Sequence, residues 1–298
     1  MITFRNRTPW MFALALALLV SATADAGKPL KWKLQKGQKF DVVVETSMQQ
    51  QQNISGQQVD TDNQMKMVMT WDVLDVDSAG VATIEQEMGR ITMDMKSPMG
   101  EIKFDSEDEE EPSGMAAMLA SAIKPMVGIK FVQKLSPYGE NLGVEVVGQE
   151  DGAAGQGPMN PDMLKQMANS AQVPFPEAGV EANETWTAET EVDVPPLGKA
   201  TTTSTYEYLG EEQRGDATVD VIQVAQKTDF PKSDEPNAMG MKIDVEDSSS
   251  TGKLYFNAEK GHLVGSEIEQ KMTATIEAMG QTIDQVQTTK TTTTVTPR

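Results

Sequence analysis

From residue 40 onward, apolar and polar residues alternate with a period of two, the pattern of strands with one buried face and one solvated face. Phe40, Val42, Val44 and Met48 share one face of the first run. Met65, Met67, Met69, Trp71 and Val73 share a face of the second, opposite Lys66, Thr70 and Asp72. Asp75–Gly80 supplies turn residues, and Val81 to Met95 resumes as strand. Ser97-Pro98-Met99-Gly100 turns the chain again, after which Ile102 and Phe104 alternate with Lys103 and Asp105. Further strands are predicted over 129–135, 142–147, 184–194, 199–209, 217–228, 241–247, 252–257, 262–276 and 281–296. Several exceed the usual length of roughly five or six residues, and the closely spaced turns suit hairpins rather than crossovers. The expectation is an all-β fold, mainly β with one or two short helices. It takes the form of a long-stranded, curved antiparallel sheet or half-barrel.

Two segments break the alternation. Asp105–Glu111 carries six carboxylates in seven residues and leads into Pro112-Ser113. Over 114–127, Met115, Met118, Leu119, Ala122, Ile123 and Met126 follow helical spacing, with Ala116, Ala117 and Ala120 leaving almost no polar side. A helix this apolar is expected to be buried on most sides, with the acidic run complementing the positive end of its dipole. The second break, 148–180, is rich in Gly, Pro and Asn and reads as a long connection. Within it Asn160-Pro161 marks the start of a short helix through Asn169. It separates a first meander, 27–147, from a second, 181–298, in a single β-rich domain 27–298. A faint repeat supports two meanders. Thr70–Leu74 and Gly80–Ile84 align without a gap to Thr205–Leu209 and Gly215–Val219, and Pro98–Phe104 echoes Ser250–Phe256.

The first 26 residues read as an export signal. Arg5 and Arg7 precede the apolar run Met11–Val20, and small residues stand before a cut after Ala26. The run is too short to cross a bilayer, which takes about 20 apolar residues. The mature chain, with no transmembrane segment, is therefore expected to be periplasmic or extracellular. Its net charge, −20 for the whole chain, repels nucleic-acid phosphates and anionic headgroups. With no cysteine there is no disulfide, thiol nucleophile, thiolate metal site or lipidated cysteine.

Other chemistries fail on their residue requirements. His262 is the single histidine, too few for a histidine metal site and placed as a turn-proximal polar residue. There is no phosphate-cradling glycine loop and no nucleophile elbow. Paired carboxylates could serve glycoside hydrolysis, but aromatic platforms are scarce and Trp32, Trp71, Trp186 and Phe104 fall on core faces. The acidic run lacks the glycine that lets a calcium loop wrap its ion. The chain is expected not to be an enzyme, with no cofactor and no metal. A membrane barrel is also disfavoured, because Lys199–Thr205 and Thr288–Val295 would put Thr and Lys where lipid lies.

Methionine is abundant, with 20 in the chain. Packing accounts for most of it, and a deformable lining for a greasy ligand is the functional reading, because thioethers are flexible and polarizable. Soft-metal binding at Met95-x-x-x-Met99 and Met163-x-x-x-Met167 is the weakest reading, neither pair having a nearby histidine. The candidate ligand-binding residues are Met65, Met67, Met69, Trp71, Met93, Met95, Met115, Met118, Leu119 and Ile123.

Leu30–Phe40 resembles the opening of a family of uncharacterised secreted bacterial proteins. So do Trp71-x-Val73 with Gly80-x-Ala82-x-Ile84, Ser97-Pro98-x-Gly100, Ser136-Pro137-Tyr138-Gly139 and Glu184-x-Trp186. That family is a domain of unknown function, so the resemblance implies no activity and no site residues. At the level of fold, long antiparallel strands with an apolar helix look like the periplasmic half-barrels that carry lipid or lipoprotein acyl chains. The expectation is an exported, non-enzymatic envelope protein holding a lipid or other apolar ligand, or an envelope protein, on an apolar concave surface. The helix 114–127 would serve as plug or lid. The alternative is a structural or protein-interaction module with a solid core.

Overall fold

Alternating sequence becomes sheet throughout. The computed structural model describes residues 27–98, 100–108, 113–147, 173–194, 197–232, 236, 240–278 and 280–298. The expected signal peptide, Met99, the end of the acidic run, the helix over 160–169 with Met163 and Met167, and most of the 148–180 connection lie outside them.

Twelve strands form one antiparallel sheet that does not close into a barrel. They are β1 (Lys39–Ile54), β2 (Gln57–Val76), β3 (Ala82–Ser97), β4 (Gly100–Asp105), β5 (Lys130–Leu135), β6 (Asn141–Val146), β7 (Thr185–Val194), β8 (Gly198–Arg214), β9 (Ala217–Asp229), β10 (Met241–Asn257), β11 (His262–Ala278) and β12 (Gln281–Pro297). The order β6-β5-β3-β2-β1-β12-β11-β10-β9-β8-β7, with β4 beside β3, sets the two meanders side by side with the first and last strands as the seam. The strands predicted at 241–247 and 252–257 are one, β10. Its register shift between Val245 and Asp247 is what interrupted the alternation.

β1 and β2 run beyond the predicted 40–48 and 65–73 through the Gln-rich stretch 49–64. Asn53 Oδ1 accepts from the Gly56 amide at 2.9 Å, and Ser55 and Gly56 take positive φ at the tip. Of the two repeat alignments, the first joins two real hairpins, β2–β3 and β8–β9, with Gly80 and Gly215 both at positive φ. The second sets the start of β4, just after a turn, against the interior of β10, where there is no turn, so only the strand part of the match has a counterpart.

One end of the sheet is built as a base. Segments 27–38, 136–140 and 173–183 lie together there. Trp32 N donates to Pro137 O (2.8 Å) and Phe175 N to Tyr138 O (2.7 Å), while Lys28 and Val180 exchange both main-chain bonds (2.8 and 2.9 Å). Gly139, at φ 85°, has Val173 O and the Trp32 ring where a Cβ would stand. Two apolar clusters fill this end. One gathers Leu34, Phe40, Ile84, Met88 and Phe131, the other Leu30, Val180, Tyr208, Ile222 and Phe256. Trp32 touches both, edge-on to Phe256 at 5.6 Å.

The predicted helix is α1 (Met115–Ile123) with a 3-10 turn at Lys124–Met126. Ala120 and Ile123 join the first cluster, with Leu119 and Met126 packed against it. Burial on most sides is not what forms: Met118 is 74% exposed, and Ser121 and Ala122 also face solvent. No acidic residue lies in its first turn, and Glu109–Glu111, the part of the acidic run nearest the helix, lie outside the described residues. Asp105 pairs with Arg90, and Glu107 lies 3.4 Å from the same guanidinium.

Candidate ligand-binding face

Directly paired residues on neighbouring antiparallel strands point to the same side of a sheet, so the register assigns every strand position to a face. On the inner face stand Phe40, Val42, Val44, Thr46 and Met48 of β1, opposite Trp71, Met69, Met67, Met65 and Asn63 of β2. Both clusters, the base segments and α1 pack on this side. The outer face takes the charges: Lys66 pairs with Glu45, Lys130 with Glu85 and Lys290 with Glu269. Among the described strand residues the inner face carries charge only at the base, on Asp220 and Glu211, and Lys28 pairs with both.

The inner face changes character across its width. One row of paired positions runs Ile102–Met95–Asn63–Met48 over β4, β3, β2 and β1. It continues as Thr289–Gln270–Ser250–Gln226–Ser204 over β12, β11, β10, β9 and β8. Apart from Asn63 the first half is thioether and aliphatic, whereas the second is entirely hydroxyl and primary amide.

Of the candidate residues, Met65, Met67, Met69, Trp71, Met93 and Met95 share the inner face of β2 and β3. Met67 and Met69 are buried in the cluster; Met65, Met93, Met95 and Trp71 are half-buried. Ile123 is buried and Leu119 half-buried against the same cluster, while Met118 points away to solvent. Met115 opens α1, and its side chain lies outside the described set. The Trp71 indole N–H and the Asn63 amide oxygen are enclosed without a hydrogen-bond partner.

Sequence reasoning missed the polar half. Alternating Ser, Thr and Gln gave no signal of depth, yet Gln226, Ser248, Ser250, Gln270, Thr289 and Thr291 surround a hollow of about 130 Å³ between β9 and β12. An open depression of about 630 Å³ lies over β1–β4, with Glu45, Lys66, Asp94, Lys103 and Lys290 around it. Its lysines are matched by Glu45, Asp94 and Glu269.

The titratable groups with displaced pKa values serve the architecture. Burial opposes charge on Lys28, but hydrogen bonds from its ammonium to Asp220 and Glu211 outweigh this and raise its pKa. Burial, reinforced by the hydrogen bond to Asp220, pushes the Tyr208 phenol up to about 12. His262, expected as a turn-proximal polar residue, does follow the β10–β11 turn; it is buried there with its ring 5.2 Å from Phe40, and burial lowers its pKa. No group of three or more acidic, histidine or cysteine side chains suited to a metal ion occurs among the described residues.

No family model matches the chain, and no curated protein does. Among solved structures, the chain aligns with a lipovitellin structure concerned with lipid–protein interactions (TM-score 0.47, 9% identity, 88% of this chain). It spans 25% of the lipovitellin chain. It also aligns with an outer membrane channel from Pseudomonas putida F1 (TM-score 0.25, 8% identity, 92% of this chain and 98% of that one). A third is the translocator domain of an autotransporter from Neisseria meningitidis (TM-score 0.20, 8% identity, 87% and 88%). At these scores the likenesses carry no argument about function, and the chain is assigned to no family.

Proposed function

We propose that this is an exported, non-enzymatic envelope protein that carries a hydrophobic ligand on the inner face of its sheet. One observation carries the reading. In a chain with net charge −20, the described strand residues keep every charge off one face of a twelve-stranded sheet, except two carboxylates tied to Lys28 at the base. A face selected only for solubility would accept charge wherever side chains reach water. Toward the end away from the base, Met65, Met93, Met95, Ile243, Ile276 and Ile283 are half-exposed on that face. Partly exposed apolar side chains on a face otherwise free of charge suit an apolar ligand, and thioethers adapt to chains of varied shape.

The excursion that carries α1 leaves and rejoins the sheet at neighbouring points of β3. Ser106 N donates to Ile91 O (2.9 Å) and Gly128 N to Met88 O (2.7 Å). The helix, whose main strand contact is with β4, can therefore lift while the ladder beneath stays paired, which suits a lid. Export through residues 1–26, with Gly27 as first mature residue, belongs to the same proposal.

Titration of the mature protein with Nile red tests it. Saturable fluorescence enhancement is expected, and none would leave the solid-core interaction module as the better account.

A further inference from the structure

The hollow between β9 and β12 differs from the rest of the inner face in a way packing alone does not require. It exists because β10 presents small residues there, Ser248, Ser250 and Gly252, between Leu254 and Val245. Its walls are hydroxyls and primary amides, with Ile268 the one aliphatic side chain. Part of the hydrogen-bonding capacity is spent internally. Ser250 Oγ donates to Gln226 Oε1 (2.9 Å), Gln226 Nε2 to Ser204 Oγ (3.0 Å), and Gln287 Nε2 to Thr289 Oγ1 (3.2 Å).

Part of it is not spent. The hydroxyl of Ser248, a residue only 2% exposed, has no hydrogen-bond partner among the described residues, and neither has the amide of Gln270, an exposed residue at the rim. The Ser248 hydroxyl is not enclosed but opens onto the hollow, so a group that enters can pair with it. Both donors and acceptors are on offer, since hydroxyls and primary amides supply each. What the hollow lacks is charge. The nearby lysines Lys227, Lys271 and Lys290 alternate to the outer face.

We propose that this hollow seats the head of an amphiphilic ligand, and that the head is uncharged and hydrogen-bonding: an ester, an amide or a polyol. The tail lies across the seam on the methionines of β2 and β3. This rests on the carrier reading above and adds to it the class of ligand. An ionised carboxylate or phosphate would be desolvated against hydroxyls with no cation to compensate, whereas a neutral ester or glycerol exchanges its hydrogen bonds to water for those of Ser248 and Gln270. The spacing fits a long acyl chain. Gln270 on β11 is three strand steps from Asn63 on β2, roughly 14 Å at about 4.8 Å per step. The methionines begin one step earlier, at Met48 on β1, and continue at Met95 on β3.

Displacement of bound Nile red separates this inference from the one beneath it. Three competitors of equal chain length differ only in the head: monododecanoylglycerol, dodecanoate and dodecyltrimethylammonium, compared at about pH 8, where the carboxylate is ionised. The expected result is that the glyceride displaces the dye at a concentration at least tenfold below either ion. The double variant Ser248→Ala/Gln270→Leu, its folding verified by melting temperature, should bring the glyceride-to-dodecanoate ratio toward one. Equal potency of all three on the wild-type protein, or tighter binding of an ion, overturns the head assignment and leaves the carrier reading standing. A ratio unchanged in the folded double variant also overturns it. Failure of Nile red to bind at all removes the carrier reading and this inference together.

Discussion

At the scale of single residues, the base is held by a few side chains whose loss is felt far from them. The Asp220 carboxylate is buried to 3% exposure and binds the Lys28 ammonium, the Tyr208 hydroxyl (2.8 Å) and the Ala258 amide (3.2 Å). It thereby ties the start of the described chain to β8 and to the β10–β11 turn. Asp220→Ala leaves the Tyr208 hydroxyl and the Ala258 amide without this partner, and Lys28 with only the exposed Glu211. The expected loss is about 3 kcal/mol in denaturant unfolding, and a loss below about 1 kcal/mol would mean that the anchor is ornamental. His262 gives a pH dependence whose sign follows from its geometry. Its Nδ1 lies 2.9 Å from Leu263 O, which makes Nδ1–H the donor, while Nε2 is enclosed with no partner. Burial therefore holds its folded pKa below the ordinary value near 6.5. Below that value the unfolded chain takes up a proton that the folded chain resists, so the folded state loses stability as pH falls. Between about pH 7.5 and pH 5.5, His262→Leu should lose less melting temperature than the wild type. An equal loss in both would place the titration elsewhere.

At the scale of elements, α1 poses the open mechanical question, and its sequence and its setting point in different directions. Ala120 and Ile123 insert into the cluster beside Phe104 and Phe131, yet Met118 stands in solvent. Gly114 and Gly128 flank the helix and its 3-10 turn at positive φ, and no side chain caps the N-terminus. Hydrogen exchange resolves whether it is lid or core. The amides of 115–126 are expected to exchange faster than those of 65–73, and to slow when Nile red is bound; joint exchange at the slow rate would make the helix fixed core. The strands themselves were legible, because a period of two with Phe, Val, Met and Trp on one face admits one reading. What escaped was the continuation 49–64, where both faces are polar and Gln, Asn and Asp hide the alternation. The methionine half of the candidate face could be read from Met65, Met67 and Met69. The amide half could not, because Ser250 and Gln226 become a recess only when β9, β10 and β11 are set in register. The helix was over-read for a related reason: an apolar sequence fixes what a helix can bury, and the partner decides how much is buried.

At the scale of the whole molecule, the sheet is one layer whose two outer strands, β6 and β7, do not pair with each other, so something other than a closed ladder must hold its halves in place. The base segments do this. Residues 136–140 belong to the β5–β6 turn of the first meander, Val173–Val180 leads into the second, and 27–34 runs between them, bonded to Pro137 on one side and Val180 on the other. This joint makes a testable demand on two glycines with the same backbone. Gly139 and Gly56 both sit at φ 85°, so an alanine at either incurs a similar left-handed strain of about 1–2 kcal/mol. At Gly56, on the tip of the β1–β2 hairpin, a Cβ meets nothing within 4 Å. At Gly139 it would collide with the Val173 carbonyl and crowd the Trp32 indole. The difference between the two variants therefore isolates the joint from the strain. Gly139→Ala is expected to lower stability by clearly more than Gly56→Ala, and to weaken Nile red binding even where the protein remains folded, because the faces on either side of the seam would no longer be held at a fixed angle. Equal losses in the two variants would mean that the seam pairing of β1 with β12 alone sets the shape of the trough, and that the base is only a stopper at its end.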